Sequence, residues 1–183
     1  MVSAGSNSER HAELVRMLRD SGAVRFGQFT LASGRTSDVY VDIKQMWTEP
    51  ERLELLGRAL ANRVGEADRL GGMELGAVPL LAAASLYSRR PFVVVRKAPK
   101  GHGTQRRIEG TVVSGERLLV LEDVTTTGGS VLETVAVLRG EGAKVERVLV
   151  VVDRSEGAIE RLAEASVRLE ALVTLDELRG RAT

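Results

Sequence analysis

Arg117-Leu-Leu-Val-Leu-Glu-Asp-Val-Thr-Thr-Thr-Gly-Gly-Ser130 is the stretch on which the fold turns. Leu118–Leu121 is a short, solidly apolar run of the kind that suits a strand covered on both faces. Two adjacent carboxylates, Glu122 and Asp123, close it. A loop of threonines and glycines follows and leads into an amphipathic run ending at Leu138. Strand, loop and helix in that order make half of a parallel α/β unit, and in open α/β sheets ligands bind beyond the carboxyl ends of the strands. Glycines let backbone N–H groups crowd around an anion, hydroxyls add donors, and the helix N-terminus adds partial positive charge. The loop therefore suits a phosphate. It is neither a Gly-x-x-x-x-Gly-Lys-[Ser/Thr] loop nor a Gly-x-Gly-x-x-Gly dinucleotide turn.

Outward from this stretch the same alternation repeats. Helical spacing of apolar residues appears in His11–Leu18, Arg52–Val64 and Val78–Tyr87, and β-rich runs in Phe92–Val95 and Val145–Val152. Glycines and prolines between them, among them Gly65, Gly71-Gly72, Pro91, Gly110, Gly115 and Gly140, read as breakers. From residue 65 onward the order is strand, helix, strand, loop, strand, helix, strand, helix, strand, which predicts a mostly parallel sheet. Residues 22–48 depart from it. Phe29-Thr30-Leu31 and Val39-Tyr40-Val41 read as two short strands joined by Ala32–Arg35, a small hood on the sheet. Residues 1–9 read as a flexible tail and 10–183 as one domain.

Composition narrows the classes. Twenty-six Lys+Arg against 25 Asp+Glu leave a formal charge of +1, no argument for nucleic acid or an anionic membrane. The absence of cysteine excludes thiolate chemistry and Cys-based zinc sites, and His11 and His102 stand too far apart in sequence to suggest a His-rich metal site. No apolar run approaches the ~18 residues of a membrane helix, and the first ten residues lack a signal-peptide core. A soluble, cytoplasmic protein is expected.

Glu122 and Asp123 decide what kind of phosphate ligand is meant. Carboxylates beside a phosphate repel it unless they face hydroxyls, a metal or developing positive charge. A phosphorylated ribose meets that condition, with its phosphate on the loop and its diol toward the acids. The alternative is an ordinary strand–turn–helix with a Thr-rich cap. Val-Leu-Glu-Asp-Val-Thr-Thr-Thr-Gly-Gly-Ser resembles the phosphoribosyl pyrophosphate (PRPP) motif of type I phosphoribosyltransferases. The implied fold is α/β, a mostly parallel sheet flanked by helices with a small N-terminal hood.

A second constellation, Arg96-Lys97-Ala-Pro-Lys100-Gly-His102-Gly-Thr-Gln-Arg106-Arg107-Ile-Glu109-Gly110, holds five cations and no acid from Arg96 to Arg107. It reads as a mobile basic loop, about residues 97–109, able to close over a polyanion. Taken alone it reads better as a solvated basic loop, or as a nucleic-acid patch without stacking aromatics, than as a catalytic one. Its Arg-Lys-x-x-Lys-x-His-Gly pattern is similar to the catalytic loop of orotate phosphoribosyltransferases, and Phe29–Asp42 is similar to their hood. The resemblance spans about residues 10–160.

What the resemblance implies is specific. PRPP is bound by Arg96, Lys97, Lys100, His102, Glu122, Asp123, Val124, Thr125, Thr126, Thr127, Gly128, Gly129 and Ser130, with Lys100, His102 and Asp123 catalytic. Gly76 and Ala77 form the pyrophosphate turn. Tyr40, Val41, Thr126 and Arg154 meet orotate, the arginine on its carboxylate. Mg²⁺ is the cofactor, held through PRPP and water with no direct protein ligand. The partners are orotate, PRPP and a second copy whose active site receives the catalytic loop; nucleic acid and membrane are not among them. Many members carry lysines where this chain has Ala32 and Gly76, which leaves the anion to Arg96, Lys97, Lys100 and backbone amides.

The resulting expectation is a pentosyltransferase that makes orotidine 5′-monophosphate and pyrophosphate in pyrimidine synthesis. A purine phosphoribosyltransferase would share the PRPP motif but lack this basic loop and hood. A non-catalytic nucleotide-binding regulator that contacts RNA would want stacking aromatics, and aromatics are 3% of the chain. A bifunctional enzyme with a decarboxylase would need a second domain.

Overall fold

The computed structural model describes residues 7–30, 34, 36–98 and 107–180. Helix α1 (Asn7–Asp20) precedes an antiparallel pair, β1 (Val24–Thr30) and β2 (Thr36–Val41), then a short α2 (Lys44–Trp47) and α3 (Pro50–Ala61). The remainder alternates: β3 (Arg69–Met73), α4 (Ala77–Ser88), β4 (Phe92–Val95), β5 (Ile108–Glu109), β6 (Arg117–Thr125), α5 (Gly129–Gly140), β7 (Lys144–Asp153), α6 (Ala158–Glu164), β8 (Arg168–Thr174) and α7 (Leu175–Leu178). The predicted order from residue 65 is thus the observed one, with a two-residue β5 added at the end of the basic stretch and the short α7 after β8.

Six strands lie in the order β5-β4-β3-β6-β7-β8, all neighbours parallel except β4 and β5. The side-chain period of a strand sorts the core into two layers. Along β6, Leu119 and Leu121 pack with α1, α3, α4, α7 and the hood, whereas Leu118 and Val120 pack with α5 and α6. From β3 the chain crosses by α4 to β4 on one side; from β6 it crosses by α5 to β7 on the other. The direction of winding reverses between β3 and β6, and this places a crevice at their carboxyl ends.

Local chemistry explains where the boundaries differ from expectation. Helix α1 begins at Asn7, inside the segment read as a loose tail, and its Leu14 and Leu18 are buried. Helix α3 ends at Ala61, before Val64, which instead enters the core from a turn closed by Gly65 at φ 61°. Gly71-Gly72, read as a breaker, lies inside β3. A Cβ at Gly72 would stand 2.5 Å from Ala77 Cβ and 2.7 Å from the Leu121 carbonyl oxygen, so glycine lets α4 lie directly against the sheet. The hood is longer than the two triplets suggest; its β1 and β2 pair from Val24↔Val41 to Thr30↔Thr36, and Val24 and Val39 seat it on the core. Ala32 and Leu31 lie outside the described residues.

Candidate active site

Four segments leave the carboxyl edge of the sheet together: Glu74–Gly76 after β3, Arg96-Lys97 after β4, Thr126–Ser130 after β6 and Arg154 after β7. These are the segments singled out from sequence, and the parallel topology alone gathers them.

Strand β6 runs farther than its apolar run. It continues through Glu122 and Asp123 to Thr125, because its partner β7 stays extended to Asp153, paired with Thr125. Thr125 is buried and Val124 packs against the core, so the three-threonine loop begins only at Thr126. The strand also separates the two acids. Glu122 continues the face of Leu118 and Val120 toward α5, where the Ser130 hydroxyl lies 3.4 Å from its Oε2. Asp123 takes the opposite face and lies against Gly76, where a Cβ would stand 2.8 Å from its Cγ. The Gly76 position therefore accommodates the Asp123 carboxyl.

Burial governs the electrostatics. Glu122 is 6% exposed, and its Oε1 accepts the Asp123 amide at 3.1 Å. Desolvation, reinforced by the neighbouring Asp123 carboxylate, pushes its pKa up to about 8. Asp123 is half-buried, and its Oδ1 accepts the Val124 amide at 2.8 Å. After the strand, Gly128 caps α5 at φ 77°, a conformation glycine adopts without strain, and a Cβ there would stand 3.0 Å from Leu162 of α6. No side chain caps α5, so its first-turn amides and partial positive charge are offered to an anion. Arg161 donates to the Thr127 carbonyl at 3.3 Å and braces this loop, a contact with no signal in the sequence.

The basic stretch is anchored at both ends. Arg96 pairs with Glu109 at 3.3 Å, and the Lys97 amide donates to Glu74 Oε1 at 3.1 Å. Arg107, counted from sequence among the loop's cations, turns back instead onto the Arg96 and Lys97 carbonyls. Lys100 and His102 lie outside the described residues.

Arg154 is not the surface residue that its strand-end position suggests. Its side chain is 13% exposed, pairs with Glu156 at 2.7 Å and donates to Ser37 Oγ of the hood at 3.4 Å. Among the described residues its buried Nε has no hydrogen-bond partner, an uncompensated donor of the kind a bound anion satisfies. Asp153, buried and with its pKa raised by desolvation, accepts the Ser155 amide and shapes the turn that carries Arg154. Tyr40 and Val41, as successive strand residues, point to opposite faces of the hood. Val41 packs on the core, whereas Tyr40 stacks with Phe29 at 5.7 Å and lies under Arg25. The hood residue that meets Arg154 is Ser37, which sequence reasoning did not single out.

Among the described residues no three carboxylates or imidazoles converge as a metal cage. No described helix is long and apolar enough to cross a membrane.

Comparison with known proteins gives this arrangement its context. The sequence profile of the phosphoribosyl transferase domain matches residues 45–172. An orotate phosphoribosyltransferase of Methanocaldococcus jannaschii is 45% identical over 173 residues, covering 94% of this chain and 98% of that protein. One from Natronomonas pharaonis is 50% identical over 166 residues, covering 91% and 95%. The orotate phosphoribosyltransferase of Mycobacterium tuberculosis H37Rv, solved in complex with 5-phospho-alpha-D-ribosyl 1-diphosphate (PRPP), superposes with a TM-score of 0.78 at 34% identity, covering 93% of this chain and 99% of that one. The fold thus has its counterpart in known enzymes, and the chain belongs to the orotate phosphoribosyltransferase family of type I phosphoribosyltransferases.

Proposed function

We propose that this chain transfers the phosphoribosyl group of PRPP to orotate, forming orotidine 5′-monophosphate and releasing pyrophosphate, a step of pyrimidine biosynthesis. A bond forms between the orotate ring nitrogen and C1′ while the C1′–O bond to pyrophosphate breaks. Positive charge grows on the ribose and negative charge on the leaving group. The observation that carries the reading is the convergence of an uncapped α5 N-terminus, the Asp123 carboxyl and the half-buried Arg154, with its buried Nε lacking a partner among the described residues, at one sheet edge.

Each group has a role its chemistry supports. Amides of Thr126–Ser130 hold the 5′-phosphate. Asp123 accepts from the ribose hydroxyls and stabilises the charge developing nearby; Glu122, protonated at neutral pH, is a hydrogen-bonding partner rather than a second negative charge. Arg154 receives the orotate carboxylate, for which a planar fork is suited. Tyr40 and Val41 bound the base from the hood. Arg96, Lys97 and the Gly76-Ala77 turn face pyrophosphate, where Lys100 and His102 act on the leaving group.

Magnesium fits this chemistry without a dedicated cage, because the ion keeps several waters and is usually bound by one or two carboxylates plus substrate phosphates. The ion would be held through PRPP and water, and when bound it would neutralise the pyrophosphate. The enzyme is read as cytoplasmic and as a homodimer in which the basic loop of one copy acts at the neighbouring site.

The test is an orotate absorbance assay with PRPP and Mg²⁺, run beside adenine, hypoxanthine and uracil. Orotate consumption that requires both PRPP and Mg²⁺ is expected. Turnover of another base alone would discard the assignment of Arg154 and the hood. PRPP binding without turnover of any base would identify a regulator.

A further inference from the structure

We propose that Arg107 is a positioning residue for PRPP: it fastens the exit of β4, where Arg96 and Lys97 stand, to the first turns of α5, and so holds two anion-binding segments at a fixed separation. The proposal rests on the PRPP reading above. Arg107 donates through Nε to the Arg96 carbonyl at 3.1 Å and through one terminal nitrogen to Arg96 O at 2.9 Å, Lys97 O at 3.1 Å and Glu133 Oε1 at 2.5 Å. Its own carbonyl accepts the Arg96 amide at 2.7 Å. The side chain is 27% exposed, so these bonds are partly shielded from water.

Glu133 lies one helical turn beyond Ser130, on the helix whose N-terminus faces the 5′-phosphate. The clamp therefore joins a segment on the pyrophosphate side of the ribose to one on the 5′-phosphate side. A second tie, from the Lys97 amide to Glu74, holds the same exit against the turn after β3. Arginine is suited to this place because its planar fork spans two carbonyls and a carboxylate at once, which a lysine ammonium does not reproduce. The pairing also neutralises Glu133, a carboxylate that would otherwise repel an anion at the α5 N-terminus.

The test compares wild type with Arg107→Ala, Arg107→Lys and Glu133→Gln by steady-state kinetics, calorimetric PRPP binding and thermal unfolding. For Arg107→Ala we expect Kd and KM for PRPP to rise about 10-fold or more, the loss of one to two charge-assisted bonds. KM for orotate at saturating PRPP should stay within about twofold of wild type. Lysine should recover only part of the loss, and Glu133→Gln should weaken PRPP binding by a smaller factor. Unchanged PRPP binding in Arg107→Ala would overturn the proposal. So would complete rescue by lysine, or PRPP and orotate constants that worsen together with a lowered Tm. If Arg107→Ala fails to fold, the other two variants decide on the same criteria. A wild type that binds PRPP but does not consume orotate refutes the reaction while calorimetry still judges Arg107; a wild type that binds no PRPP refutes both.

Discussion

Replacing Glu122 by glutamine should remove a pH dependence of stability that the wild type carries. Glutamine is close in shape to a protonated carboxyl, able to accept the Asp123 amide and to donate to Ser130. In the wild type the folded carboxyl keeps its proton to about pH 8, whereas the unfolded one ionises near 4.5. The native state thus binds the extra proton throughout that window. Stability from this group is fully present below 4.5, falls as pH rises, and levels off above about 8. Linkage sets the slope at about 1.4 kcal/mol per pH unit inside the window, easing as pH approaches the folded pKa. Between pH 6 and 8 the wild type should therefore lose about 2 kcal/mol relative to the variant, or about 4–8 °C in Tm for a domain of this size. Groups that do not touch Glu122, including the buried Asp153, titrate in both proteins and cancel in the difference. The assay is thermal unfolding of both proteins across pH 5.5–9. Tm curves that stay parallel from pH 6 to 8 would refute the reasoning, since they would mean that the Glu122 carboxylate is accommodated without a desolvation cost.

Three further outcomes are expected. Lys100→Ala should lower kcat about 10²- to 10³-fold with much less change in PRPP affinity, measured by single-turnover kinetics and calorimetry; an unchanged kcat would remove Lys100 from the leaving-group role. Arg154→Met should raise KM for orotate about 10- to 100-fold while direct PRPP binding is retained, and an unaltered orotate KM would detach Arg154 from the carboxylate. Gly72→Ala drives a Cβ to 2.7 Å from a backbone oxygen that cannot move aside, so it should cost about 1–3 kcal/mol and lower Tm by several degrees; a neutral change in unfolding would show that α4 shifts freely.

The chain itself determined the alternation of strands and helices, the threonine-glycine loop after β6 and the residues gathered at the carboxyl edge. Apolar periodicity and glycine-hydroxyl loops are local properties, and right-handed parallel winding then has few ways to place the strand ends. The resemblance of Val120–Ser130 to a PRPP motif needed no coordinates either, because those residues are contiguous. What the tertiary structure decided was everything that depends on which neighbour a side chain meets. Strand pairing with β7 carried β6 through the acids to Thr125, and the alternation of that strand sent Glu122 into the α5 layer and Asp123 onto Gly76. Burial then raised one carboxyl, an effect invisible in two adjacent letters. Arg154 reads as a surface cation until the hood closes over it through Ser37, and Arg107 reads as a loop cation until β4 and β5 pair and turn it onto the Arg96 carbonyl. Motifs follow from contiguous residues, whereas the charge state and direction of each functional group follow from long-range packing.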